Sequence, residues 1–383
     1  MNDCQETNID FPLFSNEKLD YIEGLTAQIL EEVGMELRDD QQSLTALKEM
    51  GASVQGERVR ISFDILKSYI NKAPTFFTWR GVSDDKSLTI GKVDGQNTPI
   101  FAPMFGAPNV RRWDGYTQFG TYDDYVDLVK LCEEFPKIGT SGYLLCIVHD
   151  RTDKTKHLDM AEAHLKHSTK PMMGCVINEM ALKAVAEEAD ATTFVAGETT
   201  LLHMINTTPP LVAQSNPLKC LREASVLGQA SMVSSYMMMG CTSMVTVQET
   251  LAQGLAEVMM GVALSQYYQP GVAVMGGIYG VPFSMQSMLP NFGCAETQFV
   301  QMGGAQLMDR LGIPGRGDGM LTCSKIHDAQ SGYDGIQLMQ SSLWSKADLI
   351  LHSAGWLEKG RVIDMNKFVQ DAEMLENLDQ VFF

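Results

Sequence analysis

The side chains able to do chemistry in this sequence are scattered, and the motifs that usually gather such residues are missing. Seven histidines (His149, His157, His164, His167, His203, His327 and His352) form no His-x-His or His-Glu-x-x-His pattern, so no metal site is spelled out. His164 and His167 share a helix face, where packing or solvation is the expected role. The eight cysteines (Cys4, Cys132, Cys146, Cys175, Cys220, Cys241, Cys294 and Cys323) include no Cys-x₂₋₄-Cys half-site and read as reduced thiols, mostly small buried hydrophobes. There is no Gly-x-x-x-x-Gly-Lys-Ser/Thr cradle for phosphates and no Gly-x-Ser-x-Gly nucleophile elbow. Carboxylates such as Glu179 and Asp318 remain as potential general bases. A scaffold has to bring any such residues together.

That scaffold is legible as an alternation. From residue 99 short apolar strands are expected at Ile100–Met104, Thr140–Val148, Met172–Ile177, Leu201–Thr207, Ser231–Met239, Val272–Ile278, Ile313–Arg316 and Leu349–Ser353. Helical segments follow them near 122–134, 157–167, 180–196, 216–228, 247–267, 293–311, 333–345 and 366–380. Eight βα units over about 285 residues predict an α/β fold, a closed (β/α)₈ TIM barrel. An open doubly wound sheet is the competitor, but no Gly-x-Gly-x-x-Gly follows the first strand. Residues 1–98 read as an N-terminal α+β cap and 99–383 as the barrel. In the cap, Ser15 is placed to begin a helix that Gly34 ends, a second helix closes at Gly51, and Phe63–Asn71 follows the short strand at Val59.

In such a barrel the working residues lie where strands end and in the loops that follow. Those ends read Phe105-Gly-Ala-Pro, Tyr143, Asn178-Glu179, Asn206-Thr-Thr-Pro-Pro, Gly240-Cys-Thr-Ser, Gly277-Ile-Tyr279-Gly, Asp318-Gly-Met and His352-Ser-Ala-Gly-Trp356. Glycine at so many of them suits either backbone held close to a bulky ligand or ordinary loop punctuation.

Composition narrows the classes. The chain is 45% hydrophobic and 20% charged, with no apolar run of the length that crosses a bilayer. A net charge of −18 leaves no basic stripe for nucleic acid or an anionic membrane. Met1-Asn-Asp-Cys-Gln-Glu has neither a basic nor an apolar export region, so the cytoplasm is the expected compartment. The 25 methionines cluster at Met172-Met173, Met237–Met239 and Met259-Met260 and read mostly as core filler.

Several stretches in one order resemble the trimethylamine methyltransferase family: Glu31-Glu-Val-Gly-Met-Glu, Lys72-Ala-Pro-Thr-Phe-Phe-Thr, Phe101-Ala-Pro-Met-Phe-Gly-Ala-Pro108, Ala329-Gln-Ser-Gly-Tyr333 and Leu351-His-Ser-Ala-Gly-Trp-Leu-Glu358. Founding members of that family carry a pyrrolysine near the position of Ile326-His-Asp-Ala-Gln-Ser331, whereas this chain has standard residues throughout. It therefore resembles the non-pyrrolysine branch, whose known activities demethylate quaternary amines such as glycine betaine, proline betaine, carnitine and butyrobetaines. Family chains also continue well beyond the helix with which this sequence ends.

The resemblance implies methyl transfer from a quaternary amine to Co(I) of a corrinoid on a separate cognate protein, with no permanently bound cofactor and no acid/base residue. A quaternary ammonium leaves as a neutral tertiary amine, so the task is positioning. Implied substrate contacts are the aromatic candidates Phe105, Tyr143, Tyr279, Tyr333 and Trp356, the acidic candidates Glu179 and Asp318, and His352, with Arg316 for a betaine carboxylate. Met239, Gly240, Gly277, Asp328 and Ser331 fall to a docking rim for the corrinoid protein, with Asp328 also among the acidic candidates. A homo-oligomer is compatible with the cap. The rival readings are a non-catalytic quaternary-amine binder or sensor, and a TIM-barrel lyase or hydrolase.

Overall fold

The buried apolar runs between residues 100 and 351 form the parallel strands of a curled sheet within a mixed α/β fold. The computed structural model describes residues 14–382; Cys4 and Phe383 lie outside them. Met172–Met173, Leu201–Asn206, Ala230–Met239 and Val274–Ser284 pair in parallel in that order. Arg316–Asp318, Leu349–Leu351 and Ile100–Phe101 form a second parallel set. Single parallel bridges join Gly276 to Gly315, Phe101 to Ile138, and Gly142 to Met172. Strands covered on both faces have no polar side to show in sequence, which is why they read as continuous apolar runs.

Helices follow close to the expected places, at Tyr122–Glu134, Lys156–His167, Glu179–Glu188, Ser215–Val226, Val247–Tyr268, Ala295–Leu311, Ala329–Trp344 and Met365–Phe382. Thr140–Val148, expected as a strand, makes isolated bridges instead. Gly142 turns the chain there with φ of 72°, a conformation that breaks an extended run. The expected strand at Ile313–Arg316 begins later, at Arg316, after Pro314, which has no N–H to give a ladder.

The N-terminal segment is joined to the sheet's connections. Ser15 caps the helix Asn16–Gln28 by accepting the Lys18 N–H, and a π-turn carries it to Gly34 (φ 73°). Met35–Leu37 then pairs with Val212–Ala213, and Phe76–Trp79 with Glu198–Thr199. Leu19, Ile22, Leu30 and Leu66 share one buried cluster with Leu251, Leu255 and Met259 of the helix Val247–Tyr268. That helix lies between the sheet and the N-terminal segment, which explains why its sequence is apolar on every side. The methionine clusters are largely interior: Met172, Met173, Met237, Met239, Met259 and Met260 are all buried.

A small sheet that no local sequence pattern marks completes the fold. Trp356–Leu357, Val362–Asp364, Asn109–Arg111 and Thr117–Phe119 lie side by side in that order. It joins the chain that follows Ile100–Phe101 to the chain that follows Leu349–Leu351.

Candidate functional site

Alternation along two paired strands builds the inner wall. Ser234 lies opposite Gly277, and Tyr236 opposite Tyr279, in the parallel ladder between Ala230–Met239 and Val274–Ser284. The two tyrosine rings stack at 5.7 Å. Tyr279 in turn stacks on Phe292 at 6.4 Å, Phe292 meets Trp356 edge to face at 5.4 Å, and Trp356 meets His352 at 4.6 Å. Five rings thus form one arc. Tyr236 is its exposed end at 37%, while the other four are buried.

Beside the arc lies a buried ion pair. Arg316 donates to Asp318 Oδ1 at 2.7 Å and to Ser234 Oγ at 2.7 Å, with its guanidinium 5.9 Å from the centre of the Tyr279 ring. Gly277 makes this possible, because a Cβ there would come within 2.8 Å of the Arg316 side chain. The Asp318 carbonyl is fixed by Gln301 Nε2 at 3.0 Å and Ser342 Oγ at 2.8 Å from two different helices. Burial pushes the Asp318 carboxyl up while Arg316 opposes that shift. Two polar atoms of the site have no protein partner although buried, Tyr279 Oη and Arg316 Nε.

His352 is locked in one tautomer. Its Nδ1 accepts the Phe105 N–H at 3.2 Å, so the proton of the neutral ring sits on Nε2, which stands 3.7 Å from Asp318 Oδ1. Burial, then the nearby Arg316 charge, hold its pKa well below the ordinary histidine range. The residue adopts φ of 57°, a conformation uncommon for any residue but glycine and found at functional strand ends. Trp356 is held by donation from Nε1 to Thr322 O at 3.2 Å and by Gly360 packed against the indole.

The structure therefore gathers Tyr279, Arg316, Asp318, His352 and Trp356, with Phe105 contributing its backbone N–H. The other expected positions lie elsewhere. Tyr143 is buried against His164 and donates to His157 O at 2.9 Å. Glu179 begins a helix and lies 3.9 Å from Arg222, and Tyr333 is exposed on the helix Ala329–Trp344. Of the positions expected at a rim, Gly240 and Asp328 are exposed, whereas Met239, Gly277 and Ser331 are buried. Asp328 and Ser331 form a reciprocal capping box. Ser234, Tyr236 and Phe292 were not anticipated. Tyr236 sits on the same strand face as Ser234, and that alternation is the sequence signal that marks it.

Among the described residues, no group of three or more His, Cys, Asp or Glu side chains is arranged to hold a metal. No helix among them is long and apolar enough to cross a membrane. With His352 neutral and Asp318 engaged by Arg316, the arrangement offers an arc of aromatic rings beside fixed polar groups.

Comparison with known proteins gives the family and the fold. The family model for trimethylamine methyltransferase matches residues 2–382. The chain belongs to the trimethylamine methyltransferase family. The glycine betaine methyltransferase of Desulfitobacterium hafniense is 28% identical over 368 residues, covering 95% of this chain and 76% of that protein. The proline betaine:corrinoid methyltransferase of Eubacterium limosum is 25% identical over 372 residues, covering 94% and 75%. The trimethylamine methyltransferase of Methanosarcina thermophila is 25% identical over 393 residues, covering 96% and 77%. In fold, the chain is similar to the monomethylamine methyltransferase of Methanosarcina barkeri, with a TM-score of 0.60 over 98% of this chain and 80% of that one, at 11% identity.

Proposed function

We propose that this family member moves a methyl group from a small quaternary amine to the Co(I) of a corrinoid carried by a separate protein. The observation that carries the reading is the arc of aromatic rings around a site whose histidine is neutral and whose carboxylate is already paired. Each ring face presented to an ammonium contributes roughly 0.5–2 kcal/mol. The methyl–nitrogen bond breaks with its electron pair left on nitrogen, so a neutral tertiary amine departs and no proton has to be supplied. The chain's residues need to bind the cation, exclude water and aim one methyl outward. The named relatives that act on glycine betaine and proline betaine support a substrate that also carries a carboxylate, for which Arg316 is the candidate donor.

The finer architecture belongs to the same reading. A closed (β/α)₈ barrel is supported by the bridges at Gly276–Gly315, Phe101–Ile138 and Gly142–Met172, which continue parallel pairing between the two strand sets. The assignment of residues 1–98 to a cap and 99–383 to the barrel is supported by the helix Val247–Tyr268, whose outward side the N-terminal segment covers.

The test is anaerobic methylation of protein-bound Co(I) corrinoid, followed by absorbance, with glycine betaine, proline betaine, carnitine, butyrobetaine and trimethylamine as donors. Turnover with a quaternary amine and none with trimethylamine is the expected result. No turnover with any donor, given a competent corrinoid protein, would overturn the reading.

A further inference from the structure

The loops that follow the parallel strands emerge at one end of the sheet, and there several apolar side chains are exposed. Met244 and Val245 follow Ala230–Met239, Met285 and Met288 follow Val274–Ser284, and Ile326 follows Arg316–Asp318; all five are exposed. The hairpin Asn109–Phe119, which follows Ile100–Phe101, adds Trp113, Tyr116 and Phe119, with exposures of 52%, 64% and 66%. Large aromatics exposed together on one short element mark a contact surface; the Phe119 ring also packs on one side against His149 at 4.8 Å.

The hairpin is anchored, so its exposed rings sit on a rigid base. Arg111 donates to Lys325 O at 2.7 Å and to Glu358 Oε1 at 2.8 Å, and Arg112 pairs with Asp124 at 2.6 Å. Asn366 holds the Trp113 carbonyl at 3.2 Å. The strand Thr117–Phe119 is one edge of the small sheet, and Trp356–Leu357 is the other. One continuous element therefore carries the exposed aromatics at one side and a wall of the candidate site at the other.

We infer that the Trp113–Tyr116–Phe119 hairpin is a docking element for the protein that carries the corrinoid. The inference rests on the proposed methyl transfer, which requires a planar macrocycle to be brought against the end of the sheet where Tyr236 is exposed. The occupant has to cover the loops at that end of the sheet, and the hairpin, bonded through Arg111 to the Lys325 carbonyl beside Ile326, extends that apolar margin and is joined by the small sheet to Trp356.

The experiment compares wild type with the Trp113→Ser/Tyr116→Ser/Phe119→Ser variant, using protein-bound corrinoid and free cob(I)alamin as alternative methyl acceptors. The expected result is a fall of about tenfold or more in kcat/KM for the protein-bound acceptor, with the rate on free cob(I)alamin and the amine KM unchanged. Equal loss on both acceptors, or no loss on either, overturns the inference. Tyr116→Ser alone, at the turn and without a side-chain role in the anchoring contacts, provides the same comparison should the triple variant fold poorly; it is expected to lower use of the protein-bound acceptor only. A wild-type enzyme that methylates neither acceptor would refute the parent reading, a result distinct from failure of the docking assignment.

Discussion

At the scale of single residues, an unpartnered hydroxyl and a buried ion pair separate folding from function. Tyr279 Oη is buried and makes no hydrogen bond, so removing it forfeits none. Tyr279→Phe is expected to leave the unfolding midpoint unchanged or raised, since an unpaired buried hydroxyl carries a desolvation cost of about 1–3 kcal/mol. If that hydroxyl meets the substrate, the same variant raises the amine KM; a lowered midpoint would show instead that the hydroxyl is bonded in the folded protein. Asp318 is the opposite case. Asp318→Ala strands the buried Arg316 guanidinium and is expected to cost about 3–5 kcal/mol. The double variant Arg316→Met/Asp318→Leu, which removes both charges, should recover much of that loss in a urea titration. A double variant no more stable than Asp318→Ala would argue that the site's stability comes from packing and not from the pairing of charges.

At the scale of elements, the helix Val247–Tyr268 shows propensity and packing in opposition. Gly254 is mid-helix, where alanine would ordinarily be favoured by about 1 kcal/mol. A Cβ there would lie 2.5 Å from the branch methyl of Ile278, 2.6 Å from Met237 Cε and 3.0 Å from Ser235 Oγ. The Met237 end can swing away, but the Ile278 branch is fixed to a strand that carries Tyr279. Overpacking of this kind costs about 1–3 kcal/mol, so Gly254→Ala is expected to lower the thermal midpoint. A midpoint that rises would mean the strand shifts freely, and that the Tyr236–Tyr279 stack is held less firmly than its register suggests. The same helix buries Glu257, which accepts from Leu211 N at 2.8 Å and from Thr207 Oγ1. This contact fixes the loop that leaves Leu201–Asn206.

At the scale of the whole molecule, buried neutral histidines contribute to the loss of stability in acid. Burial lowers His164 and His203 from the ordinary 6.5 to about 4. His203 Nδ1 faces Ala230 O at 3.2 Å while its Nε2 has no partner, so a second proton would create a buried N–H without an acceptor. The folded pKa lies below the unfolded one, so this contribution is fully present above 6.5 and is lost as pH falls toward about 4. Each histidine contributes a slope of about 1.4 kcal/mol per pH unit inside that window. Glu257, Asp348 and Asp371 are raised by burial and act in the other sense, contributing most at low pH and less as pH rises through their folded values. The difference between variants isolates the histidine. His203→Gln should lose stability less steeply than wild type between about pH 6 and 4.5, by one proton's slope. Parallel curves for the two proteins would remove His203 from the account.

The sequence by itself determined the succession of strands and helices, because strands buried on both faces and helices packed on one leave local patterns that need no partner to be read. It also determined that Asp318, His352 and Trp356 would fall at strand ends or just after them, since strand ends are local features, and the stretches around Phe101 and Leu351 carried the family; Tyr279, expected at the end of Val272–Ile278, lies instead inside a strand that runs on to Ser284. Tertiary structure decided which of the candidates meet. Tyr236 lies within a strand and looks like any core residue until its register opposite Tyr279 is known, and Phe292 joins the arc only through a loop that returns over the strand end. Glu179 and Tyr333 had equally good local credentials, yet helix starts and helix faces carried them elsewhere. The small sheet that fixes Trp356 pairs segments far apart in the chain, at 109–119 and 356–364. Pairing between distant segments depends on the closed path of the chain, and no window of neighbouring residues contains it.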